Sequence, residues 1–278
     1  MSFLRTAVFF LLAGCSATQH LQKEISHQLS SRSYNKEINI DSLVTILKPL
    51  SSREREKIIV PFMLAGNIPS FNLQLKKVKI KFTDSTGKIY KAVVFVSPDY
   101  LCIGNDKQFM RMPLTPQAAQ QIADSLHCIL PTKKMVDEIY LAASVKSEPH
   151  PLTENRDSFQ TFLQHHQIIE HQLNFKHSGK IIAGIKKDVV QTPKIYTASK
   201  PNRVAIYGWH QLTGIAIQPL YTGHVDWYVD YSHGIRLVYE KMIINKKVYL
   251  IKDVLNNRQL QPLLCDEDTC GYTRYKNN

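Results

Sequence analysis

The feature that most constrains the fold of this chain is the patterning of side chains between residues 75 and 96. Apolar residues alternate with lysines from Leu75 to Phe82, and a second strand-like run extends from Lys88 to Val96. Residues 83–87 between them read Thr-Asp-Ser-Thr-Gly, a composition typical of turns. Successive side chains of a strand point to opposite faces, so Lys77, Lys79 and Lys81 share one solvated face. The pattern predicts a β-hairpin whose apolar face is covered by the rest of the chain.

Three later segments carry apolar residues at the spacing of an α-helix. The first begins with Thr115 at the N-cap and Pro116 at the first helical position, and it runs to about His127. The second begins at Pro131–Thr132, and the third covers residues 158–173. Because each apolar stripe is confined to one side, all three helices are expected to pack on a core.

The remainder of the chain is rich in strand-like segments. These lie at residues 179–184, 188–190, 203–207, 215–217, 225–231, 235–244 and 247–251. Strands and helices do not alternate regularly, which favours an α+β fold: an N-terminal hairpin and helices, then a C-terminal sheet rich in antiparallel pairs. Residues 31–278 are predicted to form a single domain, with a possible sub-boundary in the polar, proline-containing stretch 146–157.

The first fifteen residues differ in character from the rest. Arg5 lies in a short n-region, residues 7–12 are apolar, and the small residues Ala13 and Gly14 precede Cys15. The apolar run is far shorter than the roughly 20 residues that a membrane-spanning helix needs. The segment is therefore predicted to be a targeting signal, either an ordinary secretory one or one that leads to modification of Cys15.

The sequence Leu12-Ala13-Gly14-Cys15 resembles the lipobox of bacterial lipoproteins. The resemblance implies that residues 1–14 are a signal peptide, that the chain is cut before Cys15, and that the Cys15 thiol carries a lipid with fatty acyl chains such as palmitate. Residues 15–30 are polar and are expected to be a tether. Because no acidic residue directly follows Ser16, the resemblance also implies an outer-membrane location in the cell envelope, with the domain facing the periplasm.

The chain is basic, with a formal net charge of +12. A signal peptide argues against nucleic acid as a partner, and the lysines of residues 76–81 fit a solvated strand face. We expect partners among anionic lipid headgroups at the membrane and acidic cell-wall glycans or peptides, although the charge also serves solubility. Four cysteines remain besides Cys15, and the close spacing of Cys265 and Cys270 predicts a disulfide between them in an oxidising compartment.

Residues able to do chemistry are concentrated between Gly208 and Arg236. If residues 225–231 form a strand, then His224, Asp226, Tyr228 and Asp230 lie on one face of a sheet. The candidate catalytic residues are His210, Asp230, His233 and Arg236. The candidate substrate-binding residues are Trp209, His224, Asp226, Trp227 and Tyr228, since the aromatic rings suit a sugar or peptide.

Three kinds of chemistry fit this cluster. The first is general acid–base catalysis, in which His210 or His233 moves a proton, a carboxylate orients it and Arg236 binds an anionic group. The second is a zinc site, since His224, Asp226, Asp230 and His233 supply nitrogen and oxygen ligands. The third uses Ser232 as a nucleophile, but the chain has no Gly-x-Ser-x-Gly elbow. The first is favoured, and no organic cofactor is predicted because the sequence has no glycine-rich phosphate loop.

The sequence Ser232-His233-Gly234-Ile235-Arg236 resembles the Ser-His-Gly-Cys-x-Arg loop of L,D-transpeptidases, which cross-link peptidoglycan. Residues 207–210 then correspond to the upstream histidine of that family, at His210. The nucleophilic cysteine is missing and the loop is one residue shorter. The resemblance therefore implies a binding relative or an enzyme with changed chemistry, because the thiolate that forms the acyl-enzyme is absent.

Location and candidate site together predict a lipid-anchored envelope protein, with catalysis expected but not required by the sequence. The expected reaction is hydrolysis or group transfer on an envelope glycan or peptide, by acid–base chemistry without a metal. A non-catalytic lipoprotein that binds the same class of ligand is the first alternative. A structural partner in an envelope complex is the second.

Overall fold

The computed structural model describes residues 4–33, 39–174, 179–197, 199 and 201–276, with side chains from residue 17 onward. Within these ranges the helices are α1 Leu4–Ser30, α2 Ile40–Leu47, α3 Ser52–Leu64, α4 Ser70–Leu73, α5 Pro116–Ser125, α6 Lys133–Ala142, α7 Phe159–Gln172 and α8 Ile251–Leu255. No helix in the described part of the chain combines the length and apolar character needed to cross a bilayer.

The strands of the described residues belong to two larger sheets and two short pairs. They are β1 Lys76–Thr83, β2 Ile89–Val96, β3 Cys102–Gly104, β4 Phe109–Arg111, β5 Cys128–Ile129, β6 Val145–Lys146, β7 Ile182–Ala183, β8 Lys187–Val190, β9 Ala205–His210, β10 Ala216–Tyr221, β11 His233–Gly234, β12 Val238–Tyr239, β13 Lys241–Ile244 and β14 Lys247–Leu250. The short pairs are β3 with β4 and β6 with β7.

The larger sheet is built around β2. Strand β1 lies antiparallel along one edge of β2, from Lys76 opposite Val96 to Thr83 opposite Ile89. Strands β13 and β12 pair with β2 as well, and β14 and β5 extend the sheet beyond them. The predicted hairpin is confirmed. Its apolar face carries buried Val78, Ile80, Tyr90, Ala92, Val94 and Val96, and Phe95 is buried on the opposite face.

The smaller sheet positions the candidate site. Its order is β10-β9-β8-β11, with β8 parallel to β11 and the other pairs antiparallel. All residues of β8, β9 and β11 are buried, because the sheet is covered on both faces.

The three helices predicted from apolar residues at helical spacing are confirmed as α5, α6 and α7. The side chains of Thr115, Thr132 and Ser158 each accept a hydrogen bond from a backbone N–H of the first helical turn. With helices toward the N-terminus and antiparallel-rich sheets, the chain has an α+β fold.

Two local predictions were wrong. Residues 225–231 do not form a strand: they follow a chain of turns, with Asp226 N bonded to Asn202 O and Tyr228 N bonded to Val225 O. Residues 15–30 are helical rather than a loose tether, and Leu21, Ile25 and Leu29 of α1 are buried in the core. Their spacing of four residues places these apolar side chains on one face of α1. The side chain of Cys15 and residues 1–3 of the expected signal peptide lie outside what the structure describes.

Candidate functional site

Asp230 is the centre of the candidate site. Its Oδ2 accepts hydrogen bonds from Arg156 Nη2 at 2.7 Å and from the Tyr228 hydroxyl at 3.2 Å. Its Oδ1 accepts two more from Ser232, one from the backbone N–H at 2.8 Å and one from the hydroxyl at 2.5 Å. The bonds from Ser232 fix the turn that leads into β11 and hold the carboxylate in place.

His233 lies beside this carboxylate and is fully buried. Its Nε2 is 3.9 Å from Asp230 Oδ1, and neither ring nitrogen has a hydrogen-bond partner among the described residues. Burial lowers the pKa of His233 to about 4, although Asp230 acts in the opposite direction. The imidazole is therefore neutral at neutral pH and keeps its capacity to accept a proton.

Asp230 itself is ionised. Burial opposes the negative charge, but His233, the two bonds from Ser232 and Arg156 together hold the pKa of the Asp230 carboxyl well below its ordinary value. Because the imidazole is neutral above about pH 4, the contacts from Ser232 and Arg156 are the ones that keep the carboxylate ionised at neutral pH.

The backbone pairing of β11 explains the glycine next to His233. Along the parallel ladder His233 lies opposite Lys187, and Gly234 lies opposite Asp188. A Cβ at Gly234 would stand 2.5 Å from Tyr100 Cδ1 and 2.7 Å from Lys186 Cβ, so no larger residue fits there. The close approach at Gly234 brings His233 into register with Lys187.

Lys187 supplies a nearly buried positive charge at the site. Its Nζ lies 5.2 Å from the centroid of the Trp209 ring, and no hydrogen-bond acceptor of the described residues reaches it. Burial lowers the pKa of Lys187, while the charge of Asp230 raises it. An ammonium group held over an aromatic face, without an acceptor in the described structure, is suited to bind an anionic group.

Lys187 and Arg156 both line a cleft of about 320 Å³. Trp209 and Tyr231 form part of its wall, together with Pro151, Leu152, Thr153, Ile217 and Gln218. The lining contains two cations and no carboxylate. Arg156 is already paired with Asp230, so Lys187 is the cation that remains to attract an anion.

A larger groove of about 930 Å³ lies on the other side of Tyr228. Trp227 is 67% exposed at this groove, and Asp226 lines it while accepting a hydrogen bond from Gln117 Nε2 at 2.5 Å. Tyr228 separates the groove from Asp230: its ring stacks on His224 at 4.3 Å and meets His233 edge-on at 5.8 Å.

The structure thus brings together part of the predicted cluster. Tyr228 contacts Asp230, His233 and His224, and Trp209 lies against Lys187 of the neighbouring strand. Asp226 and Trp227 face the groove instead, because the turns at 225–230 do not give the one-sided arrangement that a strand would.

His210 and Arg236 were wrongly placed in this cluster. His210 Nε2 lies 2.9 Å from Asp137 Oδ1, and its ring stacks on Tyr140 at 4.4 Å, so α6 provides its partners. Arg236 donates to the backbone oxygens of Ser97 and Ile182 and lies over the Tyr100 ring, so it serves the packing between the sheets. Both side chains are almost fully buried in these surroundings.

Two residues that line the cleft are not among the site residues predicted from the sequence. Arg156 lies in the polar stretch that suggested a boundary, and Lys187 resembled a surface charge beside Lys186. The signal for Lys187 was its place at the start of a buried strand, where a lysine is rarely found without a role. Ser232 contributes hydrogen bonds to Asp230 rather than a nucleophile aligned with His233.

Asp226, one of the four candidate zinc ligands, is turned toward Gln117. Over the described ranges no group of three or more His, Cys, Asp or Glu side chains converges in a way that could hold a metal ion. Cys265 and Cys270 are joined in a disulfide, and Cys102 and Cys128 are buried free thiols.

Comparison with known proteins identifies no relative: no family model, curated protein or solved structure matches the chain.

Proposed function

We propose that this chain is a lipid-anchored protein of the bacterial cell envelope that hydrolyses or transfers a group of an anionic envelope glycan or peptide. The observation that carries the proposal is the pair formed by neutral, buried His233 and ionised Asp230, next to a cleft with two cations. A buried imidazole without hydrogen-bond partners costs folding free energy, which fits a group retained for reaction.

In the proposed reaction Lys187 and Arg156 bind an anionic group of the substrate. His233 accepts the proton of an attacking water or hydroxyl as the new bond forms, and it returns the proton to the leaving group as the old bond breaks. Asp230 stabilises the imidazolium in between, as a carboxylate beside a protonated imidazole does in other acid–base pairs. Tyr228 and His224 cover His233, so the Tyr228 ring must move when the substrate enters.

The location is inferred from the lipobox at residues 12–15. A single acylated cysteine gives the chain an anchor without a transmembrane helix. An anchored domain with an anion-binding cleft suits a polymer that carries carboxylate or phosphate groups, and the net charge of +12 supports the same partners.

One observation favours a second candidate, a non-catalytic binding protein. Trp227 exposes most of its ring at the large groove, as aromatic residues of carbohydrate-binding surfaces do. In that case the Asp230–His233 pair would be a buried polar network that holds the site together.

The deciding experiment uses the full chain in detergent, incubated with purified peptidoglycan and envelope glycans, with mass spectrometry of the soluble products. His233→Ala and Asp230→Asn are compared with His20→Ala, an exposed histidine of α1 that serves as the matched control. We expect products from the parent and the control, and at least about a hundredfold less from both site variants. Retention on the polymer without products would support the binding protein instead. If the chain is not retained and forms no products, both candidates are contradicted.

A further inference from the structure

We infer that the substrate is a glycan strand bearing a peptide carboxylate, with its sugar in the large groove on Trp227 and its carboxylate in the cleft at Lys187. This inference rests on the proposed function and specifies its substrate class. It is carried by the different chemistry of the two depressions and by the single carboxylate, Asp230, that connects their walls.

The groove has the chemistry of a sugar site. Trp227 presents a large apolar face to solvent, against which the C–H face of a pyranose ring can pack. Hydrogen-bonding side chains from separate parts of the chain line the same groove: Ser51, Ser52, Glu56, Thr115, Gln117, Gln121, Asp157 and Asp226. An aromatic platform with several acceptors fits a ligand with many hydroxyl groups.

The acceptors of the groove are held in place rather than loose. Glu56 Oε1 accepts from Thr115 N at 2.6 Å, and Glu56 Oε2 accepts from the Thr115 hydroxyl at 2.7 Å. Asp226 is held in the same way by Gln117, two residues further along α5. Each carboxylate oxygen has more than one lone-pair direction, so bonds to sugar hydroxyls remain available beside the internal ones.

Charge separates the two depressions. Three carboxylates line the groove, those of Glu56, Asp157 and Asp226, against the cations Arg53 and Lys57. An anionic ligand gains little there, whereas the cleft has no lining carboxylate and has Lys187 as a cation besides Arg156, which is paired with Asp230. A ligand that is neutral at one end and anionic at the other matches both surfaces.

Asp230 lines neither depression but connects a residue from the wall of each. Tyr228 lines the groove and Arg156 lines the cleft, and both donate to the same oxygen, Asp230 Oδ2. Two residues adjacent in sequence also link the depressions, because Arg156 lines the cleft and Asp157 lines the groove. A ligand that spans both therefore passes over Tyr228, next to the proposed acid–base pair.

The test measures equilibrium binding to the full chain by calorimetry with three probes: neutral chitotetraose, the dipeptide L-alanyl-D-glutamate, and a disaccharide that carries this dipeptide. Trp227→Ala is expected to weaken chitotetraose about tenfold or more and to leave the dipeptide within about twofold. Lys187→Met, and Arg156→Gln at a more exposed position, are expected to weaken binding of the dipeptide and to leave binding of chitotetraose nearly unchanged. Leu141→Ala is the control: like Trp227, Leu141 of α6 is an exposed apolar residue, and its loss should change the binding of neither probe.

The linked probe should bind more tightly than either part, and both classes of variant should weaken it. Unchanged chitotetraose binding in Trp227→Ala, or no binding of chitotetraose by the parent, overturns the inference. Because catalysis is scored separately by His233-dependent products, the two failures are distinguishable. Products with binding that is insensitive to Trp227 overturn the sugar site alone, and Trp227-dependent binding without products overturns catalysis alone.

Discussion

Arg111 binds Asp99 through two hydrogen bonds, Nε to Oδ1 at 3.0 Å and Nη2 to Oδ2 at 2.6 Å, in the buried interior. Its Nη1 also donates to Glu170 of α7 at 2.6 Å, so one guanidinium neutralises carboxylates from two segments. Removing the guanidinium takes away the positive charge that both carboxylates contact in the interior.

We expect Arg111→Met to lower the free energy of unfolding by about 3–5 kcal/mol, because it breaks a buried ion pair on one side only. Urea unfolding followed by circular dichroism measures the change. Arg274→Met is the matched control: its pair with Asp124 is partly exposed, so a loss within about 1 kcal/mol is expected. Equal losses in both variants would contradict the structural importance of the Arg111 cluster.

A second prediction concerns acid. Burial lowers the pKa of His233 to about 4, that of His166 to about 3, and that of His165 further still. Above about pH 6.5 these residues are neutral in both states, but below it the unfolded chain binds protons that the folded chain does not. Their contribution to stability is therefore lost as the pH falls from about 6.5 toward the folded values, by up to about 1.4 kcal/mol per pH unit for each histidine.

His165→Leu should reduce the difference in bound protons between the unfolded and folded chain by about one, so the free energy of unfolding should depend less on pH. The substitution loses no hydrogen bond, since His165 has no partner among the described residues. Unfolding in urea at pH 7, 6 and 5 gives the slope. Burial raises the pKa of Asp188 to about 6, which gives an opposite slope between about pH 4 and 6, so the variant must be compared with the parent at each pH. His20→Leu, at an exposed position, should keep the parental slope, and an unchanged slope in His165→Leu would contradict a neutral His165.

What the sequence could predict depended on distance along the chain. The hairpin and the caps at Thr115, Thr132 and Ser158 are local patterns, readable because neighbouring residues determine them. The partners of the candidate site residues are not local. Asp230 binds Arg156, 74 residues away, and nothing in the sequence around Asp230 indicates which residue its carboxylate contacts.

The same limit explains the misplaced histidine. His210 finds Asp137 at a separation of 73 residues, because α6 packs against β9. His233 joins Lys187 through a parallel pair of strands, and a parallel pairing leaves no mark in either short segment. The sequence therefore showed a concentration of residue types that can do chemistry, while their division among three places depended on topology.

The disulfide supplies another prediction. Cys265 and Cys270 are separated by five positions, and closing so short a loop stabilises the folded chain by about 2 kcal/mol in the chain-entropy description. Replacing both by alanine should lower the free energy of unfolding by about that amount, measured in urea without reductant. Adding reductant to the parent should have the same effect, whereas the double variant should not respond to reductant.

Lipidation of Cys15 predicts how the chain partitions between detergent and water. The parent chain, expressed in a bacterial host with its signal peptide, should partition into the detergent phase of a Triton X-114 separation, and Cys15→Ser should move to the aqueous phase. Intact-mass measurement should show the acyl chains on the parent alone. Cys102→Ser is not a suitable control because it is buried, but His20→Ala should partition like the parent.

Helix α1 limits how far a protein anchored in this way could work from its membrane. Fifteen extended residues reach about 50 Å, but α1 is helical through residues 15–30 and is fixed to the domain by buried Leu21, by Glu24 on Lys241 at 2.7 Å and by Gln28 on Tyr239 at 2.6 Å. From Cys15 to Leu21 the helix rises only about 9 Å. The domain would lie against the bilayer with the same side always facing it. It would then contact only polymer within about one domain's width of the lipid surface.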